Sequence, residues 1–316
     1  MQVIKICSML AASALLSGCL SVLGQNVTRL NTDNDVLSGV VVPDGYTRRF
    51  SPAPHNFRYG LKTAGDPVRY GERSERFELR HGDCGGADCI EPRSRAEIQM
   101  TDEINPARIG QDTWYSYSFY NATVPSFTKD NSLRLVFGQW TVGRGNQPVF
   151  RFIQLGTDEG EFDACDPSIC TETGAARGDL VVHLSDMANA RAWSAEQNNG
   201  YICRLFDMGA RRGGWVDITV NTNFGTGLDG FLRVWVDDTL MCNYSGPLVS
   251  EQSVRTAAFP HHRRGVFSSW NKRWEKATSG ARQPNLIVYY DEFRAGLSHA
   301  ETDVRTAIAV GSAPVD

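Results

Sequence analysis

Three short polar runs hold the groups in this chain that could do chemistry. Arg93, Arg95 and Glu97 alternate within Arg93-Ser94-Arg95-Ala96-Glu97-Ile98-Gln99, Gln139 stands beside Trp140 in Gly138-Gln139-Trp140-Thr141, and His261, His262, Arg263 and Arg264 precede Gly265-Val266-Phe267. Guanidinium and amide groups can neutralise a carboxylate and stabilise charge developing beside it. Histidines and tyrosines can move the proton that such neutralisation makes acidic. In that chemistry Gln139, Arg95 and Arg151 are the electrostatic set. His262 or His261 would transfer protons with Tyr289 or Tyr290, and His183 lies in another strand-like run. Glu97 is expected to orient Arg95 as a structural partner.

Positioning these groups requires strands. Runs at Arg76–Arg80, Arg95–Met100, Thr113–Asn121, Leu133–Trp140, Val149–Leu155, Leu180–Leu184, Gly214–Thr222, Gly230–Val236, Thr239–Asn243 and Leu286–Phe293 are separated by Gly, Asn and Asp. Several alternate in the manner of half-buried antiparallel strands: Trp114, Ser116, Ser118 and Tyr120 face one way, Tyr115, Tyr117 and Phe119 the other. Asp237-Asp238 reads as a hairpin turn. Many antiparallel strands with only a short surface helix expected, at Ala188–Gln197, predict an all-β sandwich or jelly roll.

In order and type the three runs resemble the signature stretches of the jelly-roll polysaccharide lyases, the alginate-lyase and heparin-lyase-like group: R-S-E-L, then Q-x-H, then Y-F-K-x-G-[IV]-Y. Arg95 and Glu97 match the first, Gln139 the second, and Arg263, Gly265 and Val266 the third. Thr141 and Phe267 stand where the family has its His and final Tyr. The resemblance runs from about Phe77 to about Gly296. It implies a concanavalin-like jelly-roll sandwich of two antiparallel sheets and β-elimination on a uronate-containing polysaccharide, with no cofactor required. A second class stays open, a non-catalytic acidic-glycan binder on the same fold.

Charge sharpens the ligand class. The 316-residue chain has a net charge of −4, yet Arg255 to Arg282 carries seven Lys or Arg against one acid, Glu275. A local basic field on an acidic protein suits an anionic ligand. Arg93, Trp140, Arg151, Arg263, Arg264, Trp270, Lys272 and Arg273 are therefore expected to bind the polymer, with tryptophans stacking on sugar rings. No nucleic-acid module accompanies the patch.

Residues 1–18 pair one charge, Lys5, with an apolar run from Met9 to Leu16 and end before Cys19 in Leu16-Ser17-Gly18-Cys19. That pattern predicts a lipoprotein signal peptide, lipid attached at Cys19, and anchoring in a bacterial envelope, at the outer membrane. Residues 19–50 read as a tether, 51–297 as the domain and 298–316 as a tail. Of eight cysteines, the six after Cys19 are expected to pair as Cys84–Cys89, Cys165–Cys170 and Cys203–Cys242 in an oxidising compartment; neither short loop has a zinc-ligand spacing, so no metal centre is expected there. Glu161-Phe162-Asp163-Ala164-Cys165-Asp166 loosely resembles a laminarinase-type glycosidase strand, but reads better as a loop that could hold a structural calcium through Asp158, Glu161, Asp163 and Asp166. A monomer is the default.

Overall fold

The computed structural model describes residues 42–50, 53–127, 133–143, 147–156, 178–187, 201–257, 259–269, 271–312 and 314–315. Among them fourteen strands form two antiparallel sheets of seven. The first has the order β1 (Tyr46–Phe50), β4 (Ser94–Met100), β13 (Pro260–Ser268), β6 (Leu135–Val142), β7 (Pro148–Gln154), β8 (Asp179–Leu184), β9 (Tyr201–Asp207). The second has the order β12 (Thr239–Ser245), β11 (Phe231–Val236), β10 (Trp215–Thr222), β5 (Thr113–Asn121), β14 (Leu286–Gly296), β3 (Arg73–Leu79), β2 (Phe57–Leu61). This is the jelly-roll sandwich the alternation predicts. Asp237 and Asp238, both with positive φ, close the tight hairpin between β11 and β12.

Period-two alternation sorts each strand between core and outer face. In β4, Ala96, Ile98 and Met100 enter the core, which sends Arg95, Glu97 and Gln99 to the outside of the first sheet. In β5, Tyr115, Tyr117 and Phe119 enter the same core from the second sheet. Two polar links tie the sheets together. Arg264 of β13 donates from Nε and Nη2 to Glu75 of β3 at 2.5 and 2.6 Å, its guanidinium lying between the rings of Tyr46 and Phe293. Tyr290 donates its hydroxyl to the carbonyls of Gly265 (2.8 Å) and Phe137. At one edge of the sandwich, Cys203–Cys242 joins the edge strands β9 and β12, and Cys84–Cys89 closes a short loop before β4.

Gly265 sits at φ +132°, and a Cβ there would lie 2.1 Å from the Ala96 carbonyl oxygen, so only glycine fits against β4. Between Arg264 and Phe267 the register of β13 on β6 shifts, and beyond the shift Phe267 stands opposite Arg95.

The chain boundaries differ from the sequence reading. The expected tether, 19–50, gives up Tyr46–Phe50 as β1, whose backbone pairs with β4. The expected tail, 298–316, folds against the second sheet: a capping box at Ser298 starts α4 (His299–Thr302), and α5 (Val304–Ala309) follows. Arg305 pairs with Asp217 at 3.0 Å and His299 lies 4.9 Å from Trp114. With Val304 and Ala307 its only buried apolar residues among those described, the segment has too little apolar pattern to read as core. Among the described residues no helix is long and apolar enough to cross a membrane.

His262, expected to move protons, is a core residue. It is fully buried, stacks on Phe293 at 4.8 Å, and has Trp140 at 4.7 Å and Tyr115 at 5.5 Å, with neither ring nitrogen hydrogen bonded. Burial, and then the Arg264 charge, hold its pKa well below the ordinary histidine value. The unfolded chain therefore takes up a proton near pH 6.5 that the folded one refuses, and stability is lost as pH falls below that value. Asp291, raised to about 8 by burial, and Glu97, also raised, act in the opposite sense, so the contribution of His262 must be read as a difference. We expect His262→Phe to gain on wild type by about 1.4 kcal/mol per pH unit below roughly pH 6.5, measured by urea denaturation at pH 7, 6 and 5.

Candidate active site

The outer face of the first sheet carries an ordered polar row. Antiparallel register aligns Thr47, Gln99, Arg263, Gln139, Arg151 and His183 across six neighbouring strands. One step along β4 and β13 lies Glu97 opposite Gly265, and a further step brings Arg95 opposite Phe267. On the other side of the row His261 stands directly opposite Thr141. Cross-strand partners of this kind have Cβ atoms about 4.5–5.5 Å apart.

The side chains in the row hold one another. Gln139 donates from Nε2 to Glu97 Oε1 at 2.5 Å, and Arg95 Nη1 lies 3.6 Å from Glu97 Oε2. Arg95 in turn donates from Nε (2.5 Å) and Nη2 (3.1 Å) to Asp88, and its guanidinium lies 4.6 Å over the Phe267 ring. Arg263 donates from Nε to Gln99 Oε1 at 2.8 Å, an oxygen that also accepts from Arg49 Nε at 3.2 Å. Arg151 donates from Nε to His183 Nδ1 at 3.2 Å, and Ser185 Oγ lies 2.8 Å from the same nitrogen.

Burial raises the Glu97 pKa against the opposing pull of Arg95, Arg263 and the Gln139 hydrogen bond. It lowers Arg263, and it lowers Arg151 with help from the Arg134 charge. Cations held out of water and short of acidic partners are a site for an anion, since the anion relieves the cost of their burial. Burial, with Arg151 and Arg134, keeps His183 neutral, and by accepting from Arg151 its Nδ1 leaves the ring proton on Nε2. His183 is thus set up as a donor. His261 is half-buried, with Nδ1 3.4 Å from Asp102 Oδ1; burial lowers its pKa although Asp102 acts to raise it. It is the neutral histidine of this face whose described surroundings leave it able to accept a proton.

Arg95, Gln139, Arg151, Arg263, His261 and Glu97 therefore share one face, with Glu97 in the bracing role expected of it. Five expected residues do not. His262, Trp140 and Arg264 alternate to the core side, where Trp140 stacks on Phe150 at 4.4 Å and Arg264 is spent on Glu75. Tyr289 lies on the outer face of the second sheet, donating to Asp66 Oδ1 at 3.0 Å, and Tyr290 is buried between the sheets. Reading the pairs His261-His262 and Arg263-Arg264 without fixing the parity of β13 is what mixed the two faces. Arg93, Lys272 and Arg273 come together past the Arg95 end of the groove: with Glu91, Pro92 and Ser269 they line a pocket of about 350 Å³ beside α3 (Asn271–Ala277), where Arg93 pairs with Glu91. Trp270, Cys19, the Cys165–Cys170 pair, the expected helix at 188–197 and the acids Asp158, Glu161, Asp163 and Asp166 lie outside the described residues. Among the described residues no His, Cys, Asp and Glu group could hold a metal ion.

Asp88 was missed. It lies in α1 (Ala87–Ile90), in the loop closed by Cys84–Cys89, and its neighbour being a cysteine gave no hint of a role toward Arg95. Gln99 was within reach of the same alternation that found Arg95 and Glu97; Arg49, in a stretch read as tether, was not. Asp88→Asn keeps the shape and removes the charge that fixes Arg95, so substrate turnover is expected to fall by on the order of tenfold, about the 1.4 kcal/mol of a weakened charged hydrogen bond, with thermal stability within a few degrees of wild type.

The molecule is thus a two-sheet jelly roll with a basic, amide-bearing floor on one outer face. The chain belongs to the polysaccharide lyase family: the family model described as polysaccharide lyase matches residues 45–294. Among solved structures, the endo-β-1,4-glucuronan lyase from the fungus Trichoderma reesei is similar at a TM-score of 0.50 and 12% identity, covering 89% of this chain and 94% of that one. An alginate lyase of polysaccharide lyase family 7 has a TM-score of 0.44 and 10% identity (77% and 95% covered), and the catalytic domain of a glycoside hydrolase family 131 protein from Coprinopsis cinerea 0.47 and 11% (81% and 85%). At these identities the likeness is one of fold. No curated protein matches the chain in sequence.

Proposed function

We propose that the chain cleaves a uronate-containing polysaccharide by β-elimination, with Arg151, Gln139 and Arg263 receiving the uronate carboxylate and His261 acting as base. The observation that carries this reading is the place of His261. Where the family pattern has a histidine this chain has Thr141, and the residue directly across the ladder from Thr141 is His261. A proton acceptor is thereby restored to the same patch of the same face from the neighbouring strand.

In the step, carboxylate neutralisation makes the proton on C5 acidic, His261 takes it, the C4–C5 double bond forms and the C4–O bond breaks. The protonated His261 then returns a proton to the departing oxygen, as a single residue can when both groups leave from one side of the ring. No water is consumed. Phe267 stands in the tyrosine position of the family pattern, which is why one histidine is assigned both transfers.

We further propose that lipid at Cys19 anchors the domain in a bacterial envelope, at the outer membrane facing periplasm or cell surface, which membrane fractionation of a Cys19→Ala variant tests: release into the soluble fraction supports the anchor, retention contradicts it. The catalytic reading is tested by ultraviolet absorbance of the unsaturated sugar end on glucuronan, alginate and glycosaminoglycan panels. A rise on any of them supports it. Retention on acidic polymers without any rise would instead favour the binding-only reading that Thr141 and Phe267 permit.

A further inference from the structure

We propose that a second pocket, between the Cys84–Cys89 loop and α3, is a subsite for one uronate residue of the polymer beyond Arg95. This rests on the polyuronate reading above and extends it along the chain of the ligand. The pocket holds about 160 Å³, below the roughly 300–1,000 Å³ of sites that enclose a whole small ligand. It suits a single ring of a longer chain.

Its lining has the two kinds of surface a sugar ring needs. Trp274 supplies an aromatic wall whose orientation is fixed, because its indole N–H donates to the Ala281 carbonyl at 2.8 Å and its ring meets Phe127 edge to face at 5.7 Å. Gln283 supplies an amide. That residue is only 6% exposed, its backbone N–H donates to His81 Nδ1 at 3.4 Å, and its side-chain Nε2 is buried with no hydrogen-bond partner among the described residues. A buried donor left unspent at the wall of a pocket points to a ligand acceptor, since such groups are otherwise satisfied.

Position ties the pocket to the groove. Asp88 lines it while also clamping Arg95, so one carboxylate forms the wall between pocket and row. Arg93 lines both this pocket and the larger basic one containing Lys272 and Arg273. The basic field continues inward, because the Arg273 charge acts on Arg134 and the Arg134 charge on Arg151. A ring against Trp274 can hydrogen bond through a hydroxyl to Gln283 and direct its carboxylate to Arg93, the one Lys or Arg of a lining that also holds Asp83, Asp88 and Glu275.

The test uses the full chain and oligouronates of increasing length. In wild type kcat/KM is expected to step up by on the order of tenfold, about 1.4 kcal/mol, when the oligomer becomes long enough to reach the pocket. Gln283→Leu and Trp274→Leu should lose that step, with activity on the shortest cleaved oligomer as the internal control. Gln283→Leu serves if the tryptophan variant does not fold. An unchanged length dependence in Gln283→Leu overturns the proposal, as does an equal effect of neutral oligosaccharides as competitors. If wild type cleaves nothing, the lyase reading falls and calorimetric titration decides the pocket: weaker oligouronate binding by Gln283→Leu supports it, and equal binding overturns it.

Discussion

His261→Asn is expected to lower turnover on a cleavable polyuronate by on the order of 10²–10⁴-fold, the usual range for loss of a positioned proton-transfer group, while leaving KM near wild type. The asparagine keeps a polar side chain opposite Thr141 and leaves Arg151, Gln139 and Arg263 to hold the substrate, so the loss falls on the chemical step. The pH profile gives an independent check. A base must be unprotonated, and burial lowers the pKa of His261 below the ordinary histidine value. The acid limb of the profile should therefore have its midpoint below about pH 6.5, the ordinary histidine value, with activity falling only on the acid side. His262→Phe should leave the acid limb in place, because His262 faces the core and does not meet substrate. An acid limb that moves with His262 and not with His261 would reverse the assignment.

The second large effect is on stability. Glu75→Gln leaves the Arg264 guanidinium inside the sandwich with its charge unpaired, and removing one partner of such a pair costs about 3–5 kcal/mol. Burial alone would lower the Arg264 pKa, but the Glu75 carboxylate at 2.5 Å outweighs it and holds the group charged. The variant cannot escape the cost by shedding a proton. For a domain of this size the expected fall in Tm is on the order of 10 °C, read by thermal denaturation. Replacing both residues together with methionine should recover most of the loss, because a buried ion pair exchanged for packed apolar groups is close to neutral. If Glu75→Gln alone melts within a degree or two of wild type, the pair does not hold the sheets together.

The pattern that made β4 and β5 legible was strict alternation, and there the sequence placed Arg95, Glu97 and the Tyr115, Tyr117 and Phe119 face where the structure has them. It failed on β13 for a physical reason. Pro260–Ser268 carries His262 and Arg264 into the core, so polar residues occupy both faces and period two has no apolar phase to lock onto. The register of β13 on β6 also shifts between Arg264 and Phe267, while its register on β4 runs unbroken and keeps Phe267 on the face of Arg263. The edge strands β1 and β2 were missed because a strand paired on one side needs few apolar residues; β9 was missed although it is largely apolar. Of the site, the cations and Gln139 could be read from type and order. Asp88 could not, since what joins it to Arg95 is the path of the disulfide loop, not a spacing along a strand. The pairing Cys203–Cys242 followed from elimination of the two short loops and is formed as expected.

On the reading proposed above, bond breaking is elimination and consumes no water. The most direct measurement is cleavage of the responsive polymer in heavy-oxygen water, followed by mass spectrometry of the fragments. Elimination predicts fragments whose masses sum to that of the parent, with an unsaturated end and no heavy oxygen incorporated at the cut. Fragments that together exceed the parent by one water per cut, with heavy oxygen at the cut ends, would show hydrolysis and contradict the account.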